Sequence, residues 1–517
     1  MSRNRLIAID SVNATIATLL MQGAAFALTI LVARSYGATS TTDAWFIALS
    51  IPGLYTAALF GALKAVFVPV FSEAVKKHPE DEKLILGSAY FLIILSSCLI
   101  AILLYFLLPF IISYAAGGLN SASRVTALDL SREVLPLVVL TSIIGLMDTI
   151  YNAHQKFLAP IFTPFIRTAT VFIGVYFFRG PLGIHALSYS SVLGEALQLL
   201  ILAYILKRQN MFVGIRATIH PAIKRMTHLA MPPLASSFVL EFNPLVDKIM
   251  IASTAVGSIT ALNIANSWNE IPLLLLGTGG FMSVILSHWS KMKAETSLET
   301  VVKSVEESLL MVSYLLIPVL AVFFAFRYPI INFFYANRQF TQEGVSNVVL
   351  LWGILIIGVL PNMLWRILVR FYHVMQDTKT PFWIGMFRSV LNILLNIIFK
   401  HFWGLPGIAL STSITAVLLF SGNFILIDRR VRSFRLIYLV KKWLVMVFIG
   451  IIMTLVCLVS YNFTQPLLQS LGRSSALISM SIGGLAGVLV YQFIAQVLGV
   501  QEARVVYSEF NKKLKFW

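Results

Sequence analysis

From residue 11 onward the chain is a series of apolar runs separated by short polar turns. The runs lack the strict apolar–polar alternation of strands, and a run of about 20 apolar residues spans the bilayer core as a helix. Fourteen membrane helices are read at 11–34, 43–71, 86–114, 134–153, 158–178, 183–206, 227–252, 259–288, 305–326, 345–372, 382–402, 406–427, 441–462 and 475–499. Several are longer than one perpendicular crossing, which tilting or bending accommodates.

Composition narrows the class. Of 517 residues, 58% are hydrophobic and 12% charged, with mean hydropathy +0.85. A soluble domain carries roughly 25% charged residues, so the expectation is an all-α integral membrane protein, because lipid leaves no other partner for backbone polar groups in such runs. The net charge of +17 is read as basic loops on an anionic leaflet, not as a nucleic-acid surface. Cys98 and Cys457 both sit inside apolar runs and suggest neither disulfide nor metal. The first apolar run follows SRNR directly and belongs to the series, so no cleavable signal peptide is expected.

Placing the N-terminus inside puts 25 Lys and Arg residues on inner segments and 6 on outer loops. That bias predicts cytoplasmic termini and an even number of crossings.

The chain also echoes itself. YNAHQKFLAP (151–160) and YHVMQDTKTP (372–381) share Y-x3-Q-x4-P, and ALSYS (186–190) pairs with ALSTS (409–413). Gly37, before Asp43 and Pro52, matches Gly257, before Glu270 and Pro272. The offsets, 220 to 223 residues, span six helices, so both copies enter the membrane in one direction. A parallel repeat of this kind predicts two lobes around a cavity, which argues transport rather than enzymology. The divisions read are an N-lobe at 1–207, a C-lobe at 208–428, and helices 13–14 with a basic tail at 429–517.

Charges inside spans cost about 2.5–3.5 kcal/mol each, so they mark cavities or partners. Arg366 and Arg370, one helical turn apart, with Arg388 on the next helix, offer forked donors for a lipid phosphate, or else snorkel to the inner interface. Lys64 lies mid-helix, too deep for easy snorkelling, and is read as facing a cavity or a packing partner. Other intramembrane charges include Arg34, Arg167, Lys248, Asp148 and Glu195. Asp247, with Asn392, Asn396 and Thr412, supplies the oxygen ligands a sodium ion takes, or an interhelical hydrogen-bond cluster. His154, His185 and His373 lack metal-ligand spacing, and GxxxxGK[ST], GxSxG and HExxH are absent. Arg34 and Asp43, flanking SYGATSTT, read most simply as an ion pair across an outer turn.

ARSYGATSTTDAWFIA followed by Pro52, VDKIMIAS, and FYHVMQDTKTP with its following helix together resemble the MviN/MurJ lipid II flippase family, a branch of the multidrug/oligosaccharidyl-lipid/polysaccharide exporter superfamily. The similarity covers about the first twelve helices. It implies a cavity between two six-helix lobes, alternating access, and transfer of an undecaprenyl-pyrophosphate-linked sugar to the outer leaflet, with helices 13 and 14 grooved for the lipid tail. It implies a sodium ion at the positions of Asp247, Asn392, Asn396 and Thr412, with Asn396 where an aspartate is usual. It places Asp43 and Glu270 at sugar groups or the outer gate.

The departures are specific. Gln22, Leu28 and Thr29 stand in place of an R-x5-R-D pattern, Thr56 and Ala57 in place of an arginine pair, and Ser267 in place of an arginine. The resulting expectation is a non-enzymatic, monomeric flippase of a polyprenyl-linked saccharide in the bacterial inner membrane. Its phosphate contacts would be Lys64, Arg366, Arg370 and Arg388, with no cofactor beyond a sodium ion and no nucleic-acid partner. The alternatives are a cation-coupled exporter of small amphiphiles and a non-transporting scaffold of a polysaccharide machine.

Overall fold

The computed structural model describes residues 3–154, 156, 158–277 and 280–514, with backbone alone for 3–19, 158, 275–277, 280–284, 287 and 509–514. All regular structure among the described residues is helical. By packing, the chain divides into two units.

The first unit comprises residues up to 260 together with Asn337–Thr341. It contains α1 (Arg3–Tyr36), α2 (Ser40–Lys77), α3 (Glu82–Ala115), α4 (Ser121–Glu133), α5 (Pro136–Ala153), α6 (Leu158–Phe162), α7 (Pro164–Leu182), α8 (His185–Arg208), α9 (Pro221–Ala252) and the first turn of α10 (Ser258–Gly277). α2 is its spine and packs against α4, α5 and α9, while α7 packs on α1 and α8. Its 38 residues rise about 57 Å at 1.5 Å each, so α2 extends well past the bilayer core. Pro52 and Pro69 lie inside it, each removing a backbone donor and permitting a bend. Thr39 caps its start, accepting from the Thr42 backbone at 3.3 Å. Below, Phe67, Phe71, Tyr90, Ile150 and Tyr151 form a buried core.

The second unit holds the rest of α10, then α11 (Gly280–Glu295), α12 (Leu298–Tyr335), α13 (Gln342–Val374), α14 (Lys379–Trp403), α15 (Leu405–Val431), α16 (Leu436–Leu467), α17 (Ser474–Val497) and α18 (Gln501–Leu514). α12 and α13 are its most buried spans. Trp352, fully buried, packs against Trp268 (5.0 Å between centroids) and Phe323 (5.5 Å). α16 and α17 pair with each other and against α12. Their outer faces, including Phe448, Leu455, Phe463, Leu489 and Phe493, are bare of protein and apolar, as a lipid-facing surface must be.

Eleven helices among the described residues are long and apolar enough to cross a membrane. The runs expected at 11–34 and 227–252 lie in α1 and α9, and the run at 259–288 is divided between α10 and α11, with 278–279 outside the described residues. Two helices were not anticipated. α4 is short and polar, started by Asn120, whose side chain accepts from Ser123 N at 2.8 Å. α18 is an amphipathic helix within the stretch read as a basic tail.

The repeat has a structural counterpart. After α5, Lys156 N bonds Tyr151 O at 3.0 Å; after α13, Asp377 N bonds Tyr372 O at 2.9 Å. The motif's first glutamine, residue 155, lies outside the described residues. Gly37 and Gly257 both take positive φ, +74° and +79°, which only glycine adopts freely.

Candidate functional site

The turn between α1 and α2 is flanked by two charged residues, Arg34 and Asp43. Asp43 is fully buried in the first turn of α2. Its carboxylate accepts from Gly257 N (2.8 Å), Thr260 N (2.8 Å) and the Thr260 hydroxyl (2.7 Å). It therefore caps the first turn of α10, where unsatisfied backbone N–H groups favour an anion. The ion pair expected with Arg34 is not formed: those three donors take up the carboxylate, and Arg34 instead offers its backbone carbonyl to Asn337 at 2.7 Å. The Gly37 carbonyl accepts from Thr42 at 2.9 Å, which ties the turn shut from the other side.

Four charges meet deeper in the first unit. Lys64 on α2 is exposed, with no acidic group within 4 Å among the described residues. Its charge is felt by Asp148 on α5, whose other charged neighbour is Glu195 on α8. Glu195 is buried and takes a 3.0 Å ion pair from Arg167 on α7. Arg167 and Glu195 line a cavity of about 280 Å³ with Thr29, Val32, Trp45 and Leu187. Lys248 donates to Ser50 at 2.8 Å. Asp247 lies half-buried beside it on α9.

In the second unit, Glu270 and Arg366 are both exposed and are mutual electrostatic partners. Arg370, one turn along α13, is half-buried and places its charge beside His373. Arg388 is half-buried on α14.

Thr29, Thr56 and Ser267, hydroxyl residues within α1, α2 and α10, are satisfied locally. The Thr29 hydroxyl bonds Ala25 O (3.1 Å), Thr56 bonds Pro52 O (2.7 Å) and Thr141 (2.9 Å), and Ser267 bonds Asn263 O (2.9 Å).

Of the proposed sodium ligands, the three in the second unit fall into two groups. Asn392 and Asn396 are buried, and the Asn396 amide donates to Asn392 Oδ1 at 3.2 Å. Ser411 on α15 donates to Asn396 Oδ1. The Thr412 hydroxyl turns back to Ile408 O at 3.3 Å. The α15 partner of Asn396 is thus Ser411, one residue from the position read in the sequence. Two amide oxygens accept protein donors in this arrangement, as at an interhelical hydrogen-bonded crossing. Asp247 belongs to the first unit.

QDTKTP is a helix start. Asp377 accepts from the backbone N–H (2.9 Å) and hydroxyl (2.7 Å) of Thr380, and from Arg430 at 2.5 Å. The Thr380 donors, then Arg430, hold this loop carboxyl far below the usual carboxylate range.

Eleven described helices long and apolar enough to cross a membrane, several with internal prolines and charged side chains, define a multi-pass membrane protein of transporter fold. The sequence profile described as "Lipid II flippase MurJ" matches residues 32–472, and the chain belongs to this family. It is 26% identical over 390 residues to a probable lipid II flippase MurJ of Rickettsia prowazekii, covering 74% of this chain and 76% of the relative. It is 24% identical over 413 residues to the lipid II flippase MurJ of Burkholderia cenocepacia (78% and 80% covered). The fold matches a solved lipid II flippase MurJ in an inward closed conformation, with TM-score 0.81 and 24% identity over 94% of this chain and 99% of that one. It also matches an inward-facing multidrug resistance MATE transporter with TM-score 0.65 and 12% identity (81% and 98% covered).

Proposed function

We propose that this chain translocates lipid II, or a closely related polyprenyl-pyrophosphate saccharide, from the inner to the outer leaflet of the bacterial cytoplasmic membrane. The family match over residues 32–472 carries this reading. The cycle is a population shift between inward- and outward-open states, without covalent chemistry. Two six-helix lobes, 1–207 and 208–428, would alternate, with 429–517 appended, and a monomer suffices.

The phosphate contacts would differ from the family's usual set. Lys64 is an exposed cation on α2 with no acidic group within 4 Å among the described residues, and Arg366, Arg370 and Arg388 serve in the second unit. Arg366 has the nearby carboxylate Glu270, which a pyrophosphate would have to displace as a partner. Sodium coupling would be weak or absent, because Asn396 brings an amide where the family carries a charge.

Complementation tests the reading. Expression in cells depleted of their own lipid II flippase should restore growth and outer-leaflet lipid II. Failure to do so, with support of a different surface polysaccharide, would move the substrate to that glycan. Transport of small cationic amphiphiles in a Lys64→Ala variant, with no lipid II movement by the parent, would favour the exporter alternative.

A further inference from the structure

Buried polar atoms nearly always have hydrogen-bond partners, so orphans call for a function. Seven such atoms lie among the described residues of the first unit, and four of them sit on α3, α5 and α8: the hydroxyls of Tyr90 and Tyr151, Asp148 Oδ1 and Gln198 Oε1. They are not scattered. Tyr90 and Tyr151 share one buried core cluster. Tyr151 lies one turn beyond Asp148 on α5, and Gln198 one turn beyond Glu195 on α8. Phe60, one turn before Lys64 on α2, packs its ring on Gly145, one turn before Asp148 on α5, so Lys64 and Asp148 share the α2–α5 seam.

We propose that Asp148 is a proton-binding site inside the first unit, and that its protonation releases Lys64 to the substrate phosphate. The second half rests on the flippase reading; the first does not.

The polar groups continue in both directions. With the orientation set by the basic loops, α5 ends at the inner face, where His154 bonds Glu82 at 3.0 Å. Towards the outer face, the Arg167–Glu195 pair opens on the 280 Å³ cavity. That cavity reaches Val32, Trp45 and Leu187, near the outer ends of α1, α2 and α8. A partial file of hydroxyl, carboxyl and amide groups thus lies to either side of Asp148 along the unit. Tyrosine hydroxyls both donate and accept, so they can hand a proton along such a file.

Asp148, rather than Glu195, is the exchangeable group. Glu195 is held directly by Arg167, whereas Asp148 has no cation within 4 Å among the described residues. Burying a carboxylate without a partner is costly, and a bound proton removes that cost. The groups facing it are Lys64 from α2, Tyr90 from α3 by way of Tyr151, Tyr151 from its own helix and Glu195 from α8; α6 carries no titratable residue. The step is a simple exchange: a proton leaves hydronium in one aqueous phase for Asp148 Oδ1, then departs to the other. While Asp148 is ionised it attracts Lys64, and once neutral it does not.

The test uses the purified full chain. Infrared difference spectra across a step between about pH 5 and pH 8 should show a buried carboxyl band that Asp148→Asn abolishes and Asp148→Glu shifts. In proteoliposomes, lipid II movement should vary with pH by up to about tenfold per unit, the slope of one proton, and Asp148→Asn should flatten it to under about twofold. If Asp148→Asn misfolds, Asp148→Glu carries the spectroscopic arm alone. A band unchanged in both variants, or a full pH slope in a folded Asp148→Asn protein, overturns the proposal. A band that depends on Asp148 in a protein that moves no lipid II at any pH leaves the proton site standing and removes the flippase reading.

Discussion

Asp43 shows how a residue's partner can escape the sequence. Its charge, beside an apolar helix start, was conspicuous, and the nearest cation suggested an ion pair with Arg34. The actual donors come from residues 257 and 260, more than 200 positions away, and no local pattern announces them. Removing the acceptor strands three donors in a buried site. Asp43→Ala should lower stability by about 2–4 kcal/mol, read as a drop in melting temperature in detergent. Asp43→Asn should recover part of that, since one oxygen remains to accept from Thr260. Lys64 is the opposite case, exposed and without a close partner, so Lys64→Ala should leave the melting temperature within about 0.5 kcal/mol of the parent. Lipid II movement should nevertheless fall at least tenfold, about the weight of one charge-assisted contact to phosphate.

At the scale of elements, apolar runs located the spans because lipid enforces one answer on each: a helix with its backbone bonds made internally. What hydropathy did not reach were α4 and α18, polar helices whose stability comes from caps and packing rather than from a hydrophobic run. The glycine echo proved informative because it reflects geometry. A Cβ on Gly37 would strike the Gln339 carbonyl, and one on Gly257 the Ala38 carbonyl, besides the positive φ at both. Gly37→Ala and Gly257→Ala should each cost about 1–2 kcal/mol in backbone strain alone, with the contact adding to it, measurable by thermal unfolding. The α14–α15 crossing was half legible. The spacing of Asn392 and Asn396 placed both on one face, but the choice between Ser411 and Thr412 depends on helix rotation, which sequence spacing does not fix. Asn396→Asp restores a carboxylate beside the Ser411 hydroxyl, and sodium should then stimulate transport where it has little effect on the parent. An unchanged sodium response would argue against any latent cation site there.

The molecule as a whole carries one attachment whose importance the hydropathy pattern hides. Glu306 on α12 is 1% exposed, and it accepts from the Arg435 backbone N–H (2.6 Å) and, in two further bonds, from its guanidinium (2.9 and 2.7 Å). Arg435 stands at the threshold of α16, so this carboxylate holds the entry of the two appended helices against the second unit. The helices from α16 onward are therefore an integral part of the second unit rather than a removable extension. A chain cut after Val431 would leave Glu306 charged and bare within its helix packing, and should aggregate or be degraded in the membrane; pairing the cut with Glu306→Gln should recover folded protein, seen as a monodisperse peak on size exclusion. The acidic side chain at 306 and the helices that follow Arg435 thus stand or fall together in a folded chain, so a variant that loses one tolerates the loss only when the other changes too.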